Sequence, residues 1–182
     1  MIPHTHDDLG WLKTVDEYYT GFNQQSQHAT VSLILDSVIT EMERRPWTKF
    51  TYVEMKYFHM WFTRQTKEIQ DRVRQYVKEG RFEFLNGGWS ANDEACPNYD
   101  DIIDNMQMGH SFLKKEFGVV PRVAWLLDSF GHSIGNARLY ADMGLEALFV
   151  GRHDYRDRNA RQTRKSLNYV WRPFSKHYGN SK

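Results

Sequence analysis

Apolar residues recur along the chain with the spacing of helices that are buried on one side. The clearest stripe begins at Val31, repeats at the third, fourth, seventh, eighth and eleventh following positions, and stops at Pro46. A second stripe runs from Ile69 to Gly80, and glycine can end a helix in a left-handed conformation. The same reasoning predicts two later helices, which extend from Asn98 to Gly118 and from Ile134 to Met143.

Short apolar runs between these helices predict strands. The runs are rich in aromatic and β-branched residues and occupy 49–53, 81–85, 123–127 and 147–150. Their apolar character is continuous rather than alternating, which is typical of strands covered on both faces. Because strands and helices alternate along the chain, we expect an α/β fold with a parallel sheet, either open or curled into a β/α barrel.

Polar residues follow the apolar strand residues in four places. One cluster follows Met1 and Ile2, and the others begin at Asn86, Asp128 and Arg152. In parallel α/β folds, ligands bind at the carboxyl ends of the strands, where the loops converge. The sequence therefore predicts that all four clusters lie on one rim of the fold.

The first cluster carries several groups that can bind a metal. In an extended segment, side chains alternate, so His4, His6 and Asp8 share one side. Together they would span about 13 Å at roughly 3.3 Å per residue, which is too far for one ion. Either His4 with His6 or His6 with Asp8 can bind, and a further ligand must come from another strand end, where Asp128 and His132 are the candidates. The alternative is that these residues only cap a helix and bond to loop backbone.

Composition and charge limit the class of protein. The 182 residues suffice for one ordinary domain. The formal net charge of +1 provides no overall field that would recruit nucleic acid or an anionic membrane, and no apolar run has the roughly 20 residues of a membrane span. Cys96 is the single cysteine, which excludes an internal disulfide and a cysteine-rich zinc site. The tail at 175–182 is expected to fray.

Four motifs resemble those of a known family in order and at similar spacing. They are PHTHDDLGW at Pro3–Trp11, NGGWSANDEA at Asn86–Ala95, AWLLDSFGHS at Ala124–Ser133 and GLEALFVGRHDY at Gly144–Tyr155. Together they resemble the N-terminal catalytic domain of glycoside hydrolase family 38, the zinc-dependent retaining α-mannosidases, and the lysosomal acid α-mannosidases most of all. The resemblance covers essentially the whole chain, and four ordered motifs are far more specific than one.

The resemblance implies a fold and a set of site residues. The fold would be a seven-stranded parallel β/α barrel, incomplete in this chain. One Zn²⁺ per chain would be bound by His6, Asp8 and Asp128, and Asp128 would also be the nucleophile. Trp11 and Phe130 would line the mannose site with Arg152 near the sugar, although core packing is the alternative for both aromatic residues.

The resemblance also implies an activity. The enzyme would release terminal α-linked mannose from N-glycan oligosaccharides in the lysosome by double displacement. The family's fourth zinc ligand and its acid/base lie beyond the matched span. We therefore expect residues 1–182 to form a partial catalytic domain that lacks the C-terminal part of the barrel and later domains, is weakly active or inactive alone, and associates with that missing portion or into homo-oligomers. The alternatives are a metal-dependent polysaccharide deacetylase-like enzyme and an inert remnant that binds sugar or metal.

Overall fold

The computed structural model describes residues 1–172, so the tail at 175–182 lies outside the described residues. Seven helices and four strands lie within the described part of the chain. In chain order they are α1 (Val15–Thr20), α2 (Val31–Arg44), β1 (Phe50–Tyr52), α3 (Met55–Phe62), α4 (Lys67–Lys78), β2 (Phe82–Phe84), α5 (Tyr99–Phe117), β3 (Val123–Leu126), α6 (Ile134–Asp142), β4 (Ala147–Val150) and α7 (Tyr155–Thr163).

All four predicted helices and all four predicted strands are confirmed. The helices correspond to α2, α4, α5 and α6, and the strands to β1 to β4. Gly80, Gly118 and Gly144 follow the ends of α4, α5 and α6 with φ values of 64°, 71° and 90°. Glycine adopts this left-handed conformation without a steric penalty, and it ends helices for that reason.

The chain divides into two compact units. The first consists of Met1–Ala91 and Asn105–Pro121, and the second of Asn92–Asp104 with the chain from Arg122 onward. We call them the first unit and the second unit.

The first unit contains a small parallel sheet with β1 at its centre. Phe50 and Tyr52 of β1 pair with Phe82 and Phe84 of β2 in parallel register. On the other side of β1, the backbone N–H of Thr51 donates to the Pro3 carbonyl at 3.0 Å, and His4 forms a parallel bridge with Thr51. The opening segment therefore runs beside β1 in the same direction, and its polar residues follow at the carboxyl end.

An aromatic core supports this sheet. The ring of Phe58 on α3 lies 4.9 Å from that of Phe84 and 5.6 Å from those of Phe62 and Phe82. Leu35 of α2 is also fully buried in this cluster. The aromatic side chains of the strands and of α3 pack together, and this packing holds α3 against the sheet, next to the opening segment.

The second unit is built on the parallel pair β3 and β4. Their register runs from Val123 opposite Ala147 to Leu126 opposite Val150. Residues of β4 alternate between exposed and half-buried, so the expectation of continuous burial is wrong for this strand. Two two-stranded parallel sheets and one bridge lie within residues 1–172, and these strands do not form the complete seven-stranded barrel. Within the described residues, no helix is both long enough and apolar enough to cross a bilayer.

Candidate active site

His6 and Asp8 lie side by side in the first unit. The Nε2 atom of His6 is 3.1 Å from Oδ1 of Asp8. On the opposite side of the segment, the Thr5 hydroxyl donates to Oδ2 of Asp7 at 2.8 Å. Side chains therefore alternate as the extended pattern predicts. His4 is exposed, and its Nδ1 lies 2.8 Å from the Ile2 carbonyl oxygen.

Backbone hydrogen bonds hold the segment in place at Asp8. The Tyr57 hydroxyl on α3 donates to the Asp8 carbonyl at 2.8 Å, and the N–H of Gly10 donates to the same oxygen at 2.8 Å. Burial raises the pKa of Tyr57, so the phenol keeps the proton that it donates. The aromatic core thus fixes the position from which the Asp8 carboxylate projects.

Glu54 lies between β1 and α3, beneath His6. Only 2% of its side chain is exposed, and its Oε1 is 3.9 Å from Nδ1 of His6. Burial, followed by the negative charge of Asp7, raises the pKa of Glu54 well above its ordinary value. Burial likewise raises the pKa of Asp7, partly opposed by the Thr5 hydrogen bond. Sequence reasoning missed Glu54, although a lone acid between Val53 and Met55 is a usable signal.

The second unit groups Asp128, Phe130 and Arg152, which we call the Asp128 group. The Nε of Arg152 donates to Oδ1 of Asp128 at 2.8 Å and to its backbone carbonyl at 3.1 Å, and Nη2 donates to the same Oδ1. The guanidinium also lies 4.7 Å from the centre of the Phe130 ring, within the range of a cation–π contact. One arginine therefore fixes both the carboxylate and the aromatic ring.

The two predicted sugar-binding aromatics are both exposed. Trp11 exposes 68% of its surface and Phe130 exposes 76%. Neither ring is therefore packed in a core formed by the described residues. An exposed aromatic face beside polar groups can instead pack against the apolar face of a sugar ring.

His132, the alternative to Asp128 as a metal ligand, has a structural partner. Its Nδ1 lies 2.7 Å from Oε1 of Glu94, and the N–H of Ser133 donates to Oε2 at 2.6 Å. The Ser133 hydroxyl in turn accepts from Gly135 and Asn136 at the start of α6. Through Nδ1, His132 therefore supports the loop that follows the Asp128 group, while its buried Nε2 makes no hydrogen bond to the described residues.

Gly87 and Gly88 lie too close to neighbouring residues to leave room for a side chain. A Cβ on Gly109 of α5 would collide with the Gly87 carbonyl, and one on Gly88 would lie 2.6 Å from the Asn105 amide nitrogen. The N–H of Trp89 also donates to the Asn105 carbonyl at 2.9 Å. The segment after β2 therefore uses its glycines for close approach to α5.

The chain matches a known family of glycoside hydrolases over nearly its whole length. Residues 1–178 match the profile described as the glycosyl hydrolases family 38 N-terminal domain. The fold and the match define a glycoside hydrolase chain. The chain belongs to glycosyl hydrolase family 38.

Named relatives and solved structures agree with this family. The chain is 49% identical over 174 residues to lysosomal alpha-mannosidase of Mus musculus and 48% identical over 174 residues to that of Homo sapiens, with 94% of this chain and 17% of each relative covered. It is 45% identical over all its 182 residues to alpha-mannosidase of Canavalia ensiformis, covering 18% of that protein. This chain therefore spans about 17% of the length of these relatives.

A crystal structure of an alpha-mannosidase from Enterococcus faecalis V583 has a similar fold. Its TM-score is 0.67 over 82% of this chain and 16% of that chain, at 16% identity. A 4-alpha-glucanotransferase from Thermococcus litoralis gives a TM-score of 0.57 over 80% of this chain and 21% of that chain, at 17% identity. At these identities the similarity extends to the fold alone.

Proposed function

We propose that the chain belongs to a zinc-dependent retaining α-mannosidase that releases terminal α-linked mannose from N-glycan oligosaccharides, and that residues 1–182 form part of its N-terminal catalytic domain. The observation that carries the proposal is the Asp128 group, in which a carboxylate at a strand end is fixed by Arg152 beside an exposed aromatic ring. Family membership and the names of the relatives support the substrate class. The relatives named lysosomal support a lysosomal location for the enzyme.

His6, Asp8 and Asp128 would bind the zinc ion, one per chain. The first two fit the metal by chemistry, because imidazole nitrogen and carboxylate oxygen are both zinc donors. Their 3.1 Å separation is also compatible with two ligands that each bind one ion at about 2.0–2.2 Å. When bound, zinc would act as a Lewis acid toward the sugar hydroxyls.

Asp128 would act as the nucleophile. A carboxylate oxygen forms a bond to the anomeric carbon while the bond from that carbon to the glycosidic oxygen breaks, which leaves a glycosyl ester. A second carboxyl group gives its proton to the departing oxygen and later takes one from the water that cleaves the ester. The hydrogen bonds from Arg152 orient the carboxylate for this attack, and Trp11 and Phe130 would pack against the sugar ring.

Covalent trapping tests the nucleophile directly. An α-mannosyl fluoride that carries a second fluorine on its ring needs no acid for departure of fluoride, so it tests the first half-reaction alone. With zinc present, we expect mass spectrometry of the digested chain to find one mannosyl adduct, on Asp128. Asp128→Asn should abolish the adduct. Asp142→Asn is the matched control because Asp142 also pairs with an arginine in the second unit, at 2.7 Å, and it should label normally.

Three results would contradict the proposal. A label on another residue, or labelling of Asp128→Asn at the rate of the unaltered chain, would exclude Asp128 as nucleophile. Binding of zinc and mannose in calorimetry without any adduct would instead indicate an inert sugar-binding remnant.

A further inference from the structure

We propose that Glu54 is a positioning residue for His6. Its carboxyl group accepts a hydrogen bond from Nδ1–H of His6, and the lone pair on Nε2 of His6 then faces the metal. The inference rests on the proposed zinc site for its functional meaning. The contacts that support this inference all lie within the first unit. Glu54 belongs to none of the four motifs described in the sequence analysis.

The carboxyl group of Glu54 faces His6, and no other side chain among the described residues donates a hydrogen bond to it. Both oxygens are buried, and the backbone N–H groups of Glu54 and Asp7 are near enough to lower the pKa of the carboxyl group but complete no hydrogen bond of ordinary geometry. The distance of 3.9 Å to Nδ1 of His6 is about 1 Å longer than an ordinary N–H···O hydrogen bond. Because an unsatisfied buried acceptor is unfavourable, a small side-chain movement that closes this gap is favoured.

Local structural roles do not account for an acid at this position. Glu54 precedes the first residue of α3, where Asp, Asn, Ser or Thr commonly caps the helix, and its side chain makes no capping bond. Glu94 is also buried and also faces a histidine, yet both of its oxygens are bonded, to His132 and to Ser133. Glu54 therefore differs from Glu94 in having acceptor capacity that remains for His6.

The two nitrogens of His6 face different groups. Nε2 lies 3.1 Å from Asp8, the proposed second ligand, and Nδ1 faces Glu54. A neutral imidazole carries one proton, so a hydrogen bond from Nδ1–H selects the tautomer in which Nε2 can bind a metal. Carboxyl groups that accept from the distal nitrogen of a metal-binding histidine orient the ring in this way. Both the ionised and the protonated carboxyl group retain an accepting oxygen, so this role does not depend on the charge of Glu54.

Two substitutions separate acceptor capacity from bulk. Glu54→Gln keeps an accepting oxygen of the same shape, whereas Glu54→Met keeps the volume and removes the acceptor. We expect Glu54→Met to weaken zinc binding about 10- to 100-fold in competition with a chromophoric chelator, and Glu54→Gln to restore affinity to within a few-fold. Glu83→Gln is the control, which neutralises an exposed glutamate on β2 of the first unit and should leave zinc affinity unchanged.

A metal-free measurement gives an independent readout. Nitrogen NMR of histidine-labelled chain, with His6 assigned through His6→Gln, reports which ring nitrogen carries the proton. Nε2 of His6 lies 3.1 Å from Oδ1 of Asp8 and can donate to that carboxylate when no metal is bound, so each chain in this measurement also carries Asp8→Ala. In that background we expect the Nδ1–H tautomer with Glu54 unaltered and in Glu54→Gln, and a shift toward Nε2–H in Glu54→Met. Circular dichroism establishes that each variant is folded.

The results distinguish failure of this inference from failure of the zinc site. If the unaltered chain binds no zinc, the zinc site is wrong, while the tautomer still decides the role of Glu54. An Nε2–H tautomer in the Asp8→Ala chain would overturn the inference. So would a Glu54→Met substitution that changes neither the tautomer in that background nor the zinc affinity of the otherwise unaltered chain. Equal losses of affinity in Glu54→Gln and Glu54→Met would also overturn it, because the charge rather than the acceptor would then matter.

Discussion

Arg152 donates two hydrogen bonds to the same carboxylate oxygen of Asp128, one from Nε at 2.8 Å and one from Nη2. The parallel register explains the contact. Leu126 at the end of β3 lies opposite Val150 at the end of β4, so residues two positions further along each strand lie at the same level. The strand pairing therefore positions the proposed nucleophile and its arginine together.

Replacing Arg152 with glutamine should impair chemistry more than stability. An ion pair between exposed side chains contributes about 0–1 kcal/mol, so the free energy of unfolding in urea should change by no more than that. Loss of a fixed orientation for Asp128 should slow covalent labelling by about 10- to 100-fold. Arg138→Gln, which removes the arginine paired with Asp142, should leave the labelling rate unchanged. Equal labelling by both variants would show that Arg152 does not position Asp128.

Gly151 follows β4, at a point where the backbone passes very close to the backbone that follows β3. A residue with a side chain would not fit there. A Cβ at this position would meet the Leu127 carbonyl oxygen and lie 2.9 Å from the Leu127 Cα. We expect Gly151→Ala to lower the free energy of unfolding by about 1–3 kcal/mol in urea, because neither backbone can move without disturbing the strand pair. Gly135→Ala is the control, since its nearest atom would be the Ser133 hydroxyl oxygen at 3.5 Å. A Gly151→Ala chain as stable as the control would contradict the argument.

The helices and strands that sequence reasoning found are those with a clear period. A one-sided apolar stripe marks α2, and four of its residues are buried, whereas α3 was missed because MKYFHMWF is apolar on nearly every side. Five of the eight residues of α3 are buried, so the helix is surrounded by protein and leaves no polar stripe to read. The six-residue α1 is too short to show a period, although the Thr14 and Glu17 capping box marks its start.

The site was predictable only in part. From residue spacing alone, either His4 and His6 or His6 and Asp8 could be the metal-binding pair of the opening segment. In the structure His6 contacts Asp8, whereas Nδ1 of His4 lies near the Ile2 carbonyl oxygen. The ligand and catalytic roles remain predictions from the resemblance. Glu54 was missed because its apolar neighbours Val53 and Met55 are only a weak signal that an acid is buried, and burial here depends on the aromatic core around α3.

Lys13 was also missed, and it holds together the segment between the opening motif and α2. Its ammonium group is buried and donates to the carbonyls of Phe22, Gln27 and Ala29 at 2.9, 2.9 and 3.0 Å. Lys13→Met would remove the donor shared by three carbonyls, of which the Gln27 carbonyl still accepts from the Ala29 N–H at 3.1 Å. Two acceptors would lose their partner, so we expect the free energy of unfolding to fall by about 2 kcal/mol or more in urea. Lys67→Met is the control because Lys67 is exposed on α4. A loss below about 1 kcal/mol, as expected for the control, would contradict this role.

Trp11 should affect sugar binding and leave stability unchanged. Its side chain is 68% exposed, so Trp11→Ala removes little buried surface and should change the free energy of unfolding by less than about 0.5 kcal/mol. If the indole packs against mannose, the variant should bind mannose about tenfold more weakly in zinc-containing calorimetry, since aromatic contacts contribute about 0.5–1.5 kcal/mol beyond buried area. Trp47→Ala removes another tryptophan, 77% exposed, and should bind mannose as the unaltered chain does. Equal mannose affinity in both variants would exclude Trp11 from the sugar site.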